Sequence, residues 1–184
     1  MKKVFLIHGF EGSPNGGWRP WLMGKLEKRD VYACALSMPA PEAPQCAAWI
    51  EEIWHAVAQS QNRDEIYLVG HSLGGPAVLR YLETAPKAIA GAILVSSPSE
   101  RNDNPKIDSF MLPPFDLAAL KSKAGKWVVI HGDDDPFVPT SNAKALASGL
   151  GAELIWVPGG KHLNGSAGFT ELPQVLEALG RMMV

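Results

Sequence analysis

Ile66-Tyr67-Leu68-Val69-Gly70-His71-Ser72-Leu73-Gly74 joins a short apolar run to a Gly-x-Ser-x-Gly turn, and its reading decides the fold. The apolar run predicts a strand, and Ala77, Val78, Tyr81 and Leu82 follow at helical spacing. The turn therefore predicts a strand that passes directly into a helix. A serine at so sharp a turn is held in a strained conformation with its side chain clear of the backbone. Glycines two residues before and after it remove the Cβ atoms that would collide. Five residues of this pattern also recur by chance in Gly- and Ser-rich loops, so an ordinary strand-to-helix turn is the other reading.

The same alternation extends through the chain. Residues 4–7 form a continuous apolar run ending in His8-Gly9, as expected of a parallel strand buried on both faces. Residues 10–17 are dense in turn formers, and Trp18, Trp21, Leu22, Lys25 and Leu26 then space as a helix face with Pro20 in its first turn. Further strands are predicted at 31–36, 66–69, 89–95, 127–130 and 154–157. Ala47, Ile50, Ile53, Trp54 and Val57 predict an amphipathic helix. Another is predicted around Ala143, Leu146, Ala147 and Leu150, ending near Gly149 or Gly151. Leu172 to Met183 carries the last helix, with Pro173 in its first turn and Thr170 as N-cap. Residues 98–124, punctuated by Pro105, Pro113 and Pro114, lack periodicity and read either as a functional loop or as a surface connection. Strands alternating with helices predict an α/β fold, a three-layer α/β/α sandwich around a six-stranded parallel sheet, in one domain spanning 1–184.

Bulk properties narrow the function. With 184 residues, 46% apolar and 20% charged, the chain is an ordinary globular length and composition. A net charge of −2 gives no footprint for nucleic acid and no attraction to an anionic membrane. Cys34 and Cys46 are the only cysteines and show no metal-ligand spacing, so they are expected as reduced, partly buried side chains. The apolar run after Met1-Lys2-Lys3 is too short for a signal-peptide core, and no membrane-length span follows. A cytoplasmic location is the expectation.

Polar residues gather where chemistry is expected. In an open parallel sheet, ligands bind beyond the carboxyl ends of the strands. His8-Gly9-Phe10, Ser72, Asp133-Asp134-Asp135 and His162 each follow a predicted strand. A serine hydroxyl becomes a nucleophile when a base takes its proton, and a histidine can do so near neutral pH. Of the five histidines, His55 lies within a helix, His8 and His131 sit at strand ends as scaffolding, and His71 adjoins the serine and points elsewhere. His162, on the Gly-rich loop after the last strand, is the expected base. The acid that orients it comes from Asp133, Asp134 or Asp135; the others cap a helix or keep the loop in water. Backbone amides of Leu73 and Phe10 are candidate donors to an oxyanion.

Val4-Phe-Leu-Ile-His-Gly9, Gly70-His-Ser-Leu-Gly74, His131-Gly-Asp-Asp-Asp135 through Pro139 and Gly159-Gly-Lys-His162 together resemble the α/β-hydrolase superfamily. The short chain and Asp134-Asp-Pro-Phe-Val-Pro139 are similar to the small serine hydrolases related to retinoblastoma-binding protein nine. That resemblance implies a minimal α/β-hydrolase fold without a large cap. It implies Ser72 as nucleophile, Asp135 as acid, His162 as base, and the amides of Phe10 and Leu73 as the oxyanion hole. It implies no metal and no organic cofactor. The expected activity is cleavage of carboxylic esters or thioesters of small to medium acyl groups, with Phe110, Met111 and Leu112 along one wall of an open site. Two alternatives stand: an amidase or aminopeptidase with the same triad, and a non-catalytic binding protein on the same scaffold. The Leu-x-Cys-x-Glu peptide associated with retinoblastoma-protein binding is absent, so the expected partner is a small-molecule ester or amide.

Overall fold

The computed structural model describes residues 1–184. Six strands, β1 (Lys2–Ile7), β2 (Tyr32–Ala35), β3 (Glu65–His71), β4 (Ile89–Val95), β5 (Ala124–Gly132) and β6 (Glu153–Val157), form one parallel sheet in the order β2-β1-β3-β4-β5-β6. The chain leaves β1 for β2 on one side, then crosses to β3 on the other. Between β1 and β3 the connections diverge, and a crevice opens above their carboxyl ends.

Period-two alternation sends each central strand to two cores. Phe5 and Ile7 of β1 and Ile66 and Leu68 of β3 join one cluster of 29 buried residues. Val4, Leu6, Tyr67 and Val69 join a second cluster of 20 on the opposite face. The first is covered by α2 (Cys46–Ala58), α3 (Gly74–Thr84) and α6 (Thr140–Leu150), the second by α1 (Arg19–Glu27) and α7 (Pro173–Met182). The predicted three-layer sandwich is thus the observed one. Strand and helix centres match the periodicity, and ends differ by a few residues, most at β5, where Gly125 and Lys126 interrupt the apolar run that marked it.

One local expectation is corrected. Thr170 does not cap α7; Leu172 occupies that position without a side-chain bond, and Pro173 begins the helix. Helix α6 does end as expected, with Gly151 in the left-handed region at φ 65°.

Residues 98–124 carry short helices α4 (Asp108–Met111) and α5 (Leu117–Leu120) between single 3-10 turns. Phe110 and Met111 are buried in the larger core rather than lining a site, and Leu112 is exposed on the surface. Arg80 of α3 fastens the segment by donating to the carbonyl oxygens of Phe110, at 2.8 Å, and Pro113. Most of the segment is a packed connection, not a cap. Cys34 and Cys46 are both free thiols. No helix is long and apolar enough to cross a membrane.

Candidate active site

Strand β3 runs into α3 through Gly70-His71-Ser72-Leu73-Gly74, and Ser72 stands at φ 53°, a left-handed conformation costly for any residue with a Cβ. The turn is so tight that a Cβ on Gly70 would lie 2.4 Å from the Gly74 carbonyl oxygen, and one on Gly74 would lie 2.2 Å from that of Ile7. The Ser72 amide donates to Val95 of β4 at 2.8 Å, which ties the turn to the neighbouring strand. The strain is held by the sheet.

Ser72 Oγ lies 3.0 Å from His162 Nε2, and His162 Nδ1 lies 2.9 and 3.1 Å from the two Asp135 carboxylate oxygens. These residues come from three strand ends, separated by 27 and 90 positions in the chain. The Asp135 side chain is fully buried. Burial alone would raise its pKa. Bonds from the His162 ring and from the amides of Val138 and Phe137 outweigh that and hold it below the usual carboxylate range. An ionised carboxylate only accepts, so the His162 proton sits on Nδ1 and Nε2 is left to accept from the serine. A hydroxyl bonded to an unprotonated imidazole nitrogen can pass its proton there as it attacks.

Asp133 and Asp134 are exposed, as expected of residues that keep the loop in water, and neither caps a helix. Their Oδ1 atoms accept from the amides of Gly159, at 2.8 Å, and Lys161, at 2.6 Å. Both therefore shape the loop that delivers His162, in which Lys161 and Leu163 adopt φ 48° and 47°. Trp18 Nε1 donates to the Leu163 carbonyl at 2.9 Å, and His71 Nε2 to the His162 carbonyl at 2.9 Å. Nothing local in the sequence pairs these groups; only proximity of β5, β6 and the elbow does. Phe137, 67% exposed, sets its ring edge-on to His162 at 5.2 Å. The remaining histidines are scaffolding or solvated. His8 Nδ1–H donates to the Gly9 carbonyl and its Nε2 accepts from the Met38 amide, His131 Nε2–H donates to the Val138 carbonyl, and His55 is exposed.

The amides of Phe10 and Leu73 have no acceptor within the protein. A Cβ on Gly9 would lie 2.8 Å from Ser72 Cβ, so the backbone entering Phe10 passes directly against the serine. Around them opens a cleft of about 680 Å³. Residues 98–124 contribute Pro98, Asn102, Asn104 and Ile107 to it, not the expected Phe110-Met111-Leu112 wall. Phe110 and Met111 are drawn into the core, because burying them against α3 removes more apolar surface from water than lining an open cleft, and Leu112 is left on the surface.

Burial pushes His71 down to about 3, with the His162 ring adding to the effect. His8 is also lowered, chiefly by burial. Both stay neutral in the fold at pH values where an unfolded chain, with its histidine pKa near 6.5, binds protons. The unfolded state then holds more protons, so stability falls as pH drops below about 6.5. Urea unfolding at pH 7 and pH 5 should show this loss, and a His71→Gln variant should lose less between the two.

A six-stranded parallel α/β/α sandwich with a strained serine at the end of its third strand defines an α/β hydrolase. The chain matches the serine hydrolase family over residues 4–181 and belongs to it. YdeN of Bacillus subtilis is 36% identical over 181 residues, covering 97% of this chain and 94% of that protein. The crystal structure of the ydeN gene product has a TM-score of 0.93 at 35% identity, covering 100% of this chain and 99% of that one. The serine hydrolase RBBP9 of Rattus norvegicus is 26% identical over 168 residues, 89% of this chain and 86% of that protein. Est1E of Butyrivibrio proteoclasticus shares the fold, with a TM-score of 0.76 at 19% identity, over 99% of this chain and 86% of that one.

Proposed function

We propose that this hydrolase cleaves carboxylic esters or thioesters of small to medium acyl groups through an acyl-enzyme on Ser72. The observation that carries the reading is the continuous hydrogen-bonded chain from Ser72 Oγ through His162 to the buried Asp135. Ser72 Oγ bonds to the carbonyl carbon while its proton moves to His162 Nε2. The carbonyl oxygen takes the displaced electron pair and is received by the unpaired amides of Phe10 and Leu73. As the carbonyl re-forms, the bond to the alcohol or thiol breaks and the imidazolium gives its proton to that leaving group. Water, deprotonated by the same nitrogen, then releases the acid and restores Ser72. Asp135 keeps the imidazole in the tautomer this requires and stabilises its cation. The cleft opens to solvent without a large cap, which suits compact ester substrates.

A fluorophosphonate probe tests the reading. Wild-type protein should label covalently and turn over short p-nitrophenyl esters, and Ser72→Ala should not label. Equal labelling of both proteins, or turnover of peptide amides in preference to esters, would remove it.

A further inference from the structure

The cleft holds one buried charged group that the proposed chemistry does not use. Arg19, the first residue of α1, is only 6% exposed yet lines the same cleft as Ser72 and His162. Its Nε and Nη2 both donate to the Ser13 carbonyl oxygen, at 3.1 and 2.8 Å. A guanidinium has five N–H donors in a planar fork. The Nε side is thus occupied, while Nη1 has no acceptor in the protein, leaving the end-on edge of the fork free. No carboxylate forms an ion pair with Arg19; Glu11, the other formally charged residue lining the cleft, is exposed and makes none. A second cation, Lys106, lies 5.6 Å over the Phe10 ring. Burial without a counter-ion is costly to a cation. The Arg19 charge acts on His8 and on His71, the residue that precedes the serine.

We infer that the cleft selects esters carrying a carboxylate, which docks on the free edge of Arg19 while the scissile carbonyl sits at Ser72. The inference rests on the proposed esterase reading and narrows its substrate class. A planar carboxylate matches two parallel N–H donors, and it supplies the counter-ion that the protein withholds. The loop from Ser13 to Gly17 fixes the fork, because both occupied donors converge on one backbone oxygen.

The experiment compares mono-p-nitrophenyl glutarate with p-nitrophenyl pentanoate, alike in length and differing by the terminal carboxylate. Wild-type kcat/KM should favour the anionic ester by about 10- to 100-fold, the range for a charge-assisted hydrogen-bonded pair. Arg19→Gln should collapse that ratio toward one, and Arg19→Lys should keep part of it. An Arg19 that merely braces the Ser13 loop would slow both esters alike and leave the ratio intact; that result, or a wild-type ratio near one, overturns the inference. Calorimetry on Ser72→Ala protein separates this from the chemistry. Monobutyl glutarate should bind more tightly than its neutral methyl ester whether or not any ester is turned over, and equal binding again overturns it. Loss of turnover and labelling with this binding preference retained would instead count against the esterase reading alone.

Discussion

Ser72→Ala protein is expected to fold normally and to lose about 10⁴-fold or more in kcat for p-nitrophenyl esters. Losses of that size follow removal of a nucleophile whose neighbours cannot replace it, leaving only the contribution of oxyanion donors and binding. The same position gives a paired expectation for stability. Ser72 sits at φ 53°, where alanine is strained and glycine is not. Ser72→Gly should therefore be as inactive as Ser72→Ala but more stable than it by about 1 kcal/mol in urea unfolding. The order reversed, with alanine the more stable, would mean that the turn relaxes when the hydroxyl is lost. Retained turnover in either variant would remove Ser72 from the mechanism.

Asp135→Asn should come second, with kcat reduced by about 10⁴-fold and little change in fold. An asparagine fits the same space, and its carbonyl oxygen can still accept from the Phe137 and Val138 amides. The bond to His162 suffers. If the amide nitrogen faces the ring, Nδ1 must become the acceptor, the proton shifts to Nε2, and the serine loses its base. If the carbonyl faces it instead, the negative charge that stabilises the imidazolium is still gone. Asp133→Asn and Asp134→Asn are the controls. Each keeps an oxygen able to accept from Gly159 or Lys161, so each should stay within about tenfold of wild type. A collapse of activity in either, with Asp135→Asn little affected, would move the acid to that position.

The elbow was legible because its signal is local. Gly70, Ser72 and Gly74 sit within five residues, and the backbone contact each glycine permits is dictated by the turn itself. His162 could be singled out because a strand end and a Gly-rich loop leave few other places for a base. The acidic run was different. Three adjacent aspartates offer the same chemistry, and what separates them is direction: Asp135 turns inward to His162, and its two neighbours turn to amides 26 and 27 residues away. The misplaced wall at Phe110, Met111 and Leu112 has the same origin. An apolar cluster announces that most of it will be buried, not which surface will bury it: Phe110 and Met111 joined the core beside α3 and its Arg80, and Leu112 was left on the surface.

Composition and periodicity thus determined the layers of this protein, the parallel sheet and the edge where its polar residues gather, because those depend on the side-chain period and on short-range turn chemistry. Tertiary structure alone decided which aspartate faces the histidine, that the other two hold its loop, and that Arg19 stands in the cleft without a counter-ion. Hydrogen bonds and ion pairs depend on distance and direction between residues far apart in the chain, and neither exists until the strands pair.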